Sequence, residues 1–266
     1  MSGYGECAMA PGVWNFRDAA AGAALRPGLF FRSSELNRLD EAGWESIQRL
    51  GVADIADLRS QREIERAGSC LLPVGVAVHH LPFPATAVNG GEAPHEASFQ
   101  RVMQESNGDD VALLAQRFMT EEYQRFATLP GARRAVRQVI SLLADERPVI
   151  VHCFAGKDRT GFVVALVLET AGVDPEAIVA DFMRSNDSLT ELRGHVLESV
   201  RERAADYPEL ADSATWLSED ILGVREEYLD AARRAVDSHY GSLDKFLAAA
   251  DVTPDDIERL RAALLR

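Results

Sequence analysis

The chain has 266 residues, of which 47% are hydrophobic and 26% charged, a balance that excludes an intrinsically disordered protein and leaves room for a sizeable core. Its 42 acidic against 28 basic residues give a formal charge of −14, which argues against a sequence-independent grip on nucleic acid and against an electrostatic membrane anchor. Only two of the basic residues are lysines, Lys157 and Lys245, a bias that GC-rich coding explains together with the Ala-rich composition.

In chain order, Leu29–Arg32 follows an Arg-Pro-Gly turn and reads as a short strand. Asp40–Leu50 carries Trp44, Ile47 and Leu50 at helical spacing, with Gly51 as a stop signal, and Val52–Leu58 reads as a buried strand. A further strand is expected over Val74–Leu81, closed by the prolines of Leu81-Pro-Phe-Pro84. Residues 85–98 have loop composition and are expected to form a flexible, functional insertion. Asp109–Leu129 reads as a helix with Val111, Leu114 and Phe118 on one face, and a second helix runs to about Ala144. The β-branched strand 148–152 and the apolar helix Thr160–Ala171 come next. Helices are expected over 175–185, 188–205, 209–222, 223–239, 242–249 and 254–265. Strands alternating with helices early, and helices alone later, predict one α/β domain with a short, mainly parallel central sheet and an added helical C-terminal region.

Cys7, Cys70 and Cys153 are too few and too scattered for a disulfide framework, and neither a zinc-knuckle spacing nor an HExxH motif is present. The expectation is a soluble protein with reduced thiols and no metal or cofactor. The N-terminus lacks a basic region followed by an apolar one, and the longest apolar stretch, Phe162–Leu168, is far short of the roughly 20 residues that span a bilayer. Cytoplasmic placement, or secretion without an ordinary signal peptide, and no integral membrane segment follow as expectations. The oligomeric state stays open.

The informative segment is Val149-Ile-Val-His-Cys153-Phe-Ala-Gly-Lys-Asp-Arg159-Thr-Gly161. A cysteine six positions before an arginine is common by chance. Here the cysteine ends a buried strand, the loop holds a glycine, and the arginine leads into a helix N-terminus. Successive backbone N–H groups and the positive end of the helix form a cradle sized for phosphate. The same field favours the thiolate, which is the nucleophilic form of cysteine. Arg159 adds a planar fork for two phosphoryl oxygens, which the point charge of a lysine does not reproduce. Gly156 lets the loop turn tightly toward a ligand. Phe154, Ala155, Gly156, Lys157 and Thr160 would surround that ligand, with the Thr160 hydroxyl placed to hydrogen-bond the cysteine sulfur. A nucleotide-binding P-loop is excluded, because Asp158 follows Lys157 where Ser or Thr is required.

The run HCFAGKDRTG at 152–161 resembles the signature loop of cysteine-dependent phosphatases. Its Phe-Ala-Gly-Lys-Asp version is similar to that of the secreted mycobacterial protein tyrosine phosphatase B family and its bacterial relatives. Further blocks look like those of the same family: Trp14-Asn-Phe-Arg-Asp18, Phe31-Arg-Ser-Ser-Glu-Leu36, Ala56-Asp-Leu-Arg-Ser60 with Arg62-Glu63, Leu81-Pro-Phe-Pro84, Arg184-Ser-Asn-Asp-Ser188 and Leu222-Gly-Val-Arg-Glu-Glu-Tyr-Leu229. The resemblance implies a cysteine-phosphatase fold, metal-independent hydrolysis of phosphotyrosine through a cysteinyl-phosphate, and breadth toward phosphoserine, phosphothreonine and phosphoinositides. It also implies that the amphipathic segment 189–222, including Trp216, Leu217 and Ile221, forms a helical lid.

Two positions qualify that picture. An aspartate commonly follows the Leu-Pro-Phe-Pro block in the resembling family, and Ala85 stands there instead. Asp158 is therefore the first candidate for the general acid, beside its reading as a loop-bracing carboxylate, with Glu92 a more distant choice. Lys157 resembles the loop lysine of inositol-lipid phosphatases, although Phe154 stands where those enzymes usually carry a second basic residue. Asp57 and Arg59 are expected to brace the loop from a neighbouring strand end, and His152 to support it without acting as a base. A phosphoinositide phosphatase with incidental protein activity and a non-catalytic phosphate-binding relative are the competing readings.

Overall fold

The computed structural model describes residues 12–22, 25–67, 75–83, 111–204 and 222–265. Five strands form one sheet in the order β1-β2-β5-β3-β4: Arg17–Asp18, Phe30–Ser33, Val149–His152, Asp54–Asp57 and Ala77–His80. The β2, β5, β3 and β4 strands are parallel, and only the two-residue β1 runs antiparallel, against β2. In β5 every residue is buried, as expected of a central parallel strand that is covered on both faces.

Side-chain alternation along the strands divides the interior in two. Phe30, Ala56, Val149 and Val151 point into the larger core, while Phe31, Ile55 and Ile150 point into the smaller one. The smaller core is closed by α1 (Glu41–Arg49) through Trp44 and Ile47. The larger is built from α3 (Val111–Phe126), α4 (Pro130–Ala144), α5 (Asp158–Ala171), α6 (Pro175–Met183), α8 (Glu226–Tyr240), α9 (Leu243–Ala249) and α10 (Pro254–Leu264). The helix α5 is apolar on nearly all sides because it lies inside this layer, and Gly172 ends it in the left-handed conformation. A 3-10 turn, Arg184–Ser188, leads from α6 into α7 (Leu189–Ala204).

The expected elements recur with shifted ends. The first strand runs from Phe30 to Ser33 rather than from Leu29 to Arg32, and the helix expected to reach residue 185 stops at Met183, where the 3-10 turn takes over. A seven-residue helix, α2 (Gln61–Ala67), lies where the sequence reading placed no element. The 85–98 insertion, Ala85, Glu92, Cys7, Cys70, the 209–222 helix up to residue 221, and the later part of the expected lid lie outside the described residues. Among the described residues, no helix is long and apolar enough to cross a membrane.

Candidate active site

The signature loop leaves the C-terminal end of β5 and enters α5 directly. Its carbonyls are taken from behind. The backbone N–H of Glu35 donates to Phe154 O at 3.0 Å. The Asn15 amide donates to Ala155 O at 3.1 Å and Gly156 O at 2.9 Å, and Arg32 Nη2 donates to Gly156 O at 2.8 Å. No cis peptide bond is present among the described residues, so each N–H points opposite to the carbonyl of its own peptide plane. The N–H groups of Ala155, Gly156 and Lys157 are thereby turned to the inner side of the loop, and α5 begins there without a side-chain cap. Gly156 has φ +67°, and a Cβ there would sit 2.3 Å from Ser33 O, so the loop closes over the end of β2 only with glycine.

Cys153 is buried at the start of this loop. Arg159 occupies the first turn of α5, also buried. Its Nη1 donates to Leu58 O at 3.2 Å and to Glu63 Oε2 at 2.8 Å, and its Nη2 donates to Glu63 Oε1 at 2.7 Å. A guanidinium has five N–H donors, of which these bonds occupy three. The remaining two, Nε–H and the second Nη2–H, lie side by side along one edge of the group, the geometry that matches two oxygens of a phosphoryl group. Burial works against the charge on Arg159, but Glu63, Cys153 and Asp158 outweigh it and hold the guanidinium protonated.

Glu63, visible in the sequence only as part of the Arg62-Glu63 block, takes its role from the fold. Its Oε2 also accepts the Ser60 backbone N–H at 2.7 Å, while Ser60 Oγ accepts the Glu63 N–H at 3.2 Å. This reciprocal pair is a capping box, so the Ser60-x-x-Glu63 pattern was a visible signal for α2. One carboxylate thus starts the helix and orients Arg159.

A second charged cluster holds the back of the loop. Asp181 on α6 receives Arg17 Nε at 2.6 Å and Arg32 Nη1 at 2.6 Å, and all three side chains are buried. Arg17 also bonds the Asn15 side chain, fixing the amide that reaches the loop carbonyls. Burial works to raise the Asp181 carboxyl, but Arg32 and Arg17 outweigh it and keep it below the usual carboxylate range. Arg32 Nε is buried without a hydrogen bond. Asn15, Arg17 and Arg32 belong to two of the blocks quoted from the sequence, and the structure supplies their common purpose.

The other expected site residues fall as follows. The Lys157 side chain is buried: Nζ donates to Gly223 O at 3.3 Å and stands 3.3 Å from Asp158 Oδ1. Asp158 is partly exposed and accepts the hydroxyl of the fully buried Tyr123 at 3.0 Å. Thr160 is buried and its hydroxyl has no hydrogen-bond partner, so the expected bond to the Cys153 sulfur is not formed. Helical geometry turns Thr160, the third residue of α5, back into the core. Phe154 packs on His195 of α7, with ring centroids 5.3 Å apart, within an apolar cluster that includes Trp14, Ala155, Leu192 and Leu222. Arg59 braces the loop at one remove. It bonds Asp57 at 2.8 Å and Glu35 at 3.3 Å, and the Glu35 backbone then holds Phe154. Glu35 also lies 3.0 Å from His195 Nε2. His152 is buried, 3.4 Å from Cys153 O and 3.6 Å from Asp57, which fits a supporting position.

A cysteine at a strand end, inward-facing amides, an arginine with one free edge and a helix N-terminus define the class of cysteine-dependent phosphatases. A family model described as the tyrosine phosphatase family matches residues 8–266. The chain is 49% identical to the triple specificity protein phosphatase PtpB of Mycobacterium tuberculosis, over 96% of this chain and 98% of that protein. It is 28% identical to a putative tyrosine-protein phosphatase of Cupriavidus necator, over 92% and 82%, and 26% identical to a tyrosine-protein phosphatase of Nostoc commune, over 96% and 80%. The chain belongs to the tyrosine phosphatase family and is a protein-tyrosine phosphatase that works through cysteine.

Proposed function

We propose that Cys153, Arg159 and Asp158 carry the reaction as nucleophile, phosphoryl clamp and proton donor. In the first step the Cys153 sulfur attacks phosphorus in line, the S–P bond forms, the P–O bond to the leaving group breaks, and Asp158 gives that oxygen its proton. In the second, water attacks phosphorus, the S–P bond breaks to return the thiolate, and Asp158 takes back a proton from the water. The amides of Ala155, Gly156 and Lys157 and the free edge of Arg159 stabilise the equatorial oxygens in both steps, which is chiefly preorganised electrostatics.

The observation that carries this reading is the Arg159–Glu63 pair, which uses the Nη1–Nη2 end of the guanidinium and leaves its Nε–Nη2 edge unspent. Cys153→Ser is expected to bring turnover of a phosphotyrosine peptide to background, and retained turnover would refute the thiolate mechanism.

Phosphotyrosine proteins are the primary substrates in this reading, with phosphoserine, phosphothreonine and phosphoinositides as further ones. The triple specificity of the mycobacterial relative supports that breadth. Lys157 supplies no support for a lipid preference, because its ammonium is spent on Gly223 and Asp158. Comparing kcat/KM on phosphotyrosine and phosphoserine peptides and on phosphoinositide micelles tests the order, and a large lipid advantage reverses it. The apolar cluster that joins Phe154 to α7 supports the 189–222 segment acting as a lid over the loop.

A further inference from the structure

Tyr123 is fully buried on α3, among Phe126, Phe182 and Tyr228, with ring centroids 5.2, 6.0 and 5.6 Å away. A phenylalanine would fill the same aromatic space. The hydroxyl is what the site demands, and a buried hydroxyl needs a polar partner. Its partner is Asp158, the carboxylate beside the clamp arginine in the signature loop.

The two oxygens of Asp158 are treated unequally. Oδ1 accepts the Tyr123 hydroxyl at 3.0 Å and lies 3.3 Å from the Lys157 ammonium, which is itself tied to Gly223 O. Oδ2 takes no hydrogen bond among the described residues. A carboxyl group with one oxygen pinned between a hydroxyl and an ammonium has its plane fixed, and the free oxygen is the one able to carry a transferable proton. Proton donation in a transition state depends on such placement, because a donor even slightly misdirected loses most of its effect.

We propose that Tyr123 is a positioning residue for proton transfer: its hydroxyl fixes Oδ1 of Asp158 so that Oδ2 delivers the proton to the leaving-group oxygen. The inference rests on Asp158 being the proton donor. Burial, reinforced by the neighbouring Asp158, pushes the Tyr123 phenol well above its ordinary value, so it remains a donor across the working pH range. The tyrosine makes its contribution through Asp158 and touches no substrate atom. Lys157 serves the same oxygen from the other side.

The test compares kcat/KM, which reports cysteine phosphorylation and departure of the leaving group, on two aryl phosphates. One is 2,4-dinitrophenyl phosphate, whose phenolate leaves without a proton, and the other is phenyl phosphate, whose phenolate needs one. Tyr123→Phe is expected to lower kcat/KM on phenyl phosphate by about 10-fold or more and on 2,4-dinitrophenyl phosphate by less than about 3-fold. In an Asp158→Asn background the same change should have no further effect, because the group it positions is gone. Equal losses on both substrates, no loss on phenyl phosphate, or an undiminished loss in the Asp158→Asn background would overturn the proposal and leave Tyr123 as a packing residue. The failure of the underlying reading looks different. If Asp158→Asn alone falls equally on both substrates, Asp158 is not the donor and both ideas fail. If Asp158→Asn discriminates and Tyr123→Phe does not, only the positioning role falls.

Discussion

Behind the signature loop, Asp181 sits between Arg17 and Arg32, the Asn15 amide goes to the loop carbonyls, and the two Nη groups of Arg32 go to Asp181 and the Gly156 carbonyl. In front of it, Arg159 keeps two parallel N–H donors free and Asp158 keeps one oxygen free. The same residue types, arginine and aspartate, build both sides. What separates holding from reacting is how much hydrogen-bonding capacity is left over among the described residues: behind the loop a single buried donor, Arg32 Nε, is unpaired, while in front a whole guanidinium edge and a carboxylate oxygen are. Removing a residue from the back should therefore cost stability, and removing one from the front should cost rate.

The largest effect expected is at the front. Arg159→Lys keeps the charge and a bond to Glu63 but loses the planar edge, and kcat on a phosphotyrosine peptide should fall by about 10³-fold with little change in urea-unfolding stability. A loss of stability comparable to that of a back-side variant would erase the distinction. At the back, Asp181→Asn leaves two buried guanidinium groups without their anion. It should destabilise the protein by about 3–5 kcal/mol in urea unfolding at neutral pH.

That cost has a sign with pH. The Asp181 carboxyl lies below its unfolded value of about 3.9, so its stabilisation is present above about pH 4 and is lost as pH falls through the folded value. The gap between wild type and Asp181→Asn should accordingly narrow in acid unfolding below about pH 4, and a constant gap would point to packing instead of charge. The smallest effect separates the two duties of Glu63. Gln still serves the capping box but leaves one buried guanidinium, Arg159, without its anion, so Glu63→Gln should cost less stability than Asp181→Asn, which strands two, and lower kcat/KM by about 10-fold through a less firmly held Arg159.

Much of the front was legible in the sequence because it is contiguous. Cys153 to Arg159 is one strand end, one turn and one helix start, and local chemistry decides all three. The back was not legible, since Asn15, Arg32 and Asp181 come together only when β2, α6 and the segment that leads into β1 are assembled. Their sequence blocks were visible as blocks, but a block does not disclose its partner. Tyr123 was hidden differently. It sits in a helix read through its apolar face at Val111, Leu114 and Phe118, and nothing in helical periodicity marks which ring carries a needed hydroxyl. The partners of Lys157 were hidden for a related reason: the chain after Leu222 folds back to supply the Gly223 carbonyl that takes its ammonium. The α2 helix was missed although Ser60-x-x-Glu63 announced it, because a seven-residue polar segment shows no apolar stripe.

In the proposed mechanism front and back together present Cys153 to phosphorus, and a covalent adduct on its sulfur is the direct consequence. Rapid acid quench of the enzyme during turnover of a phosphotyrosine peptide, followed by peptide mass spectrometry, should find a phosphoryl group on Cys153, and none in Cys153→Ser. Turnover proceeding at the wild-type rate in Cys153→Ser, or a phosphoryl group trapped on any other residue, would contradict the account.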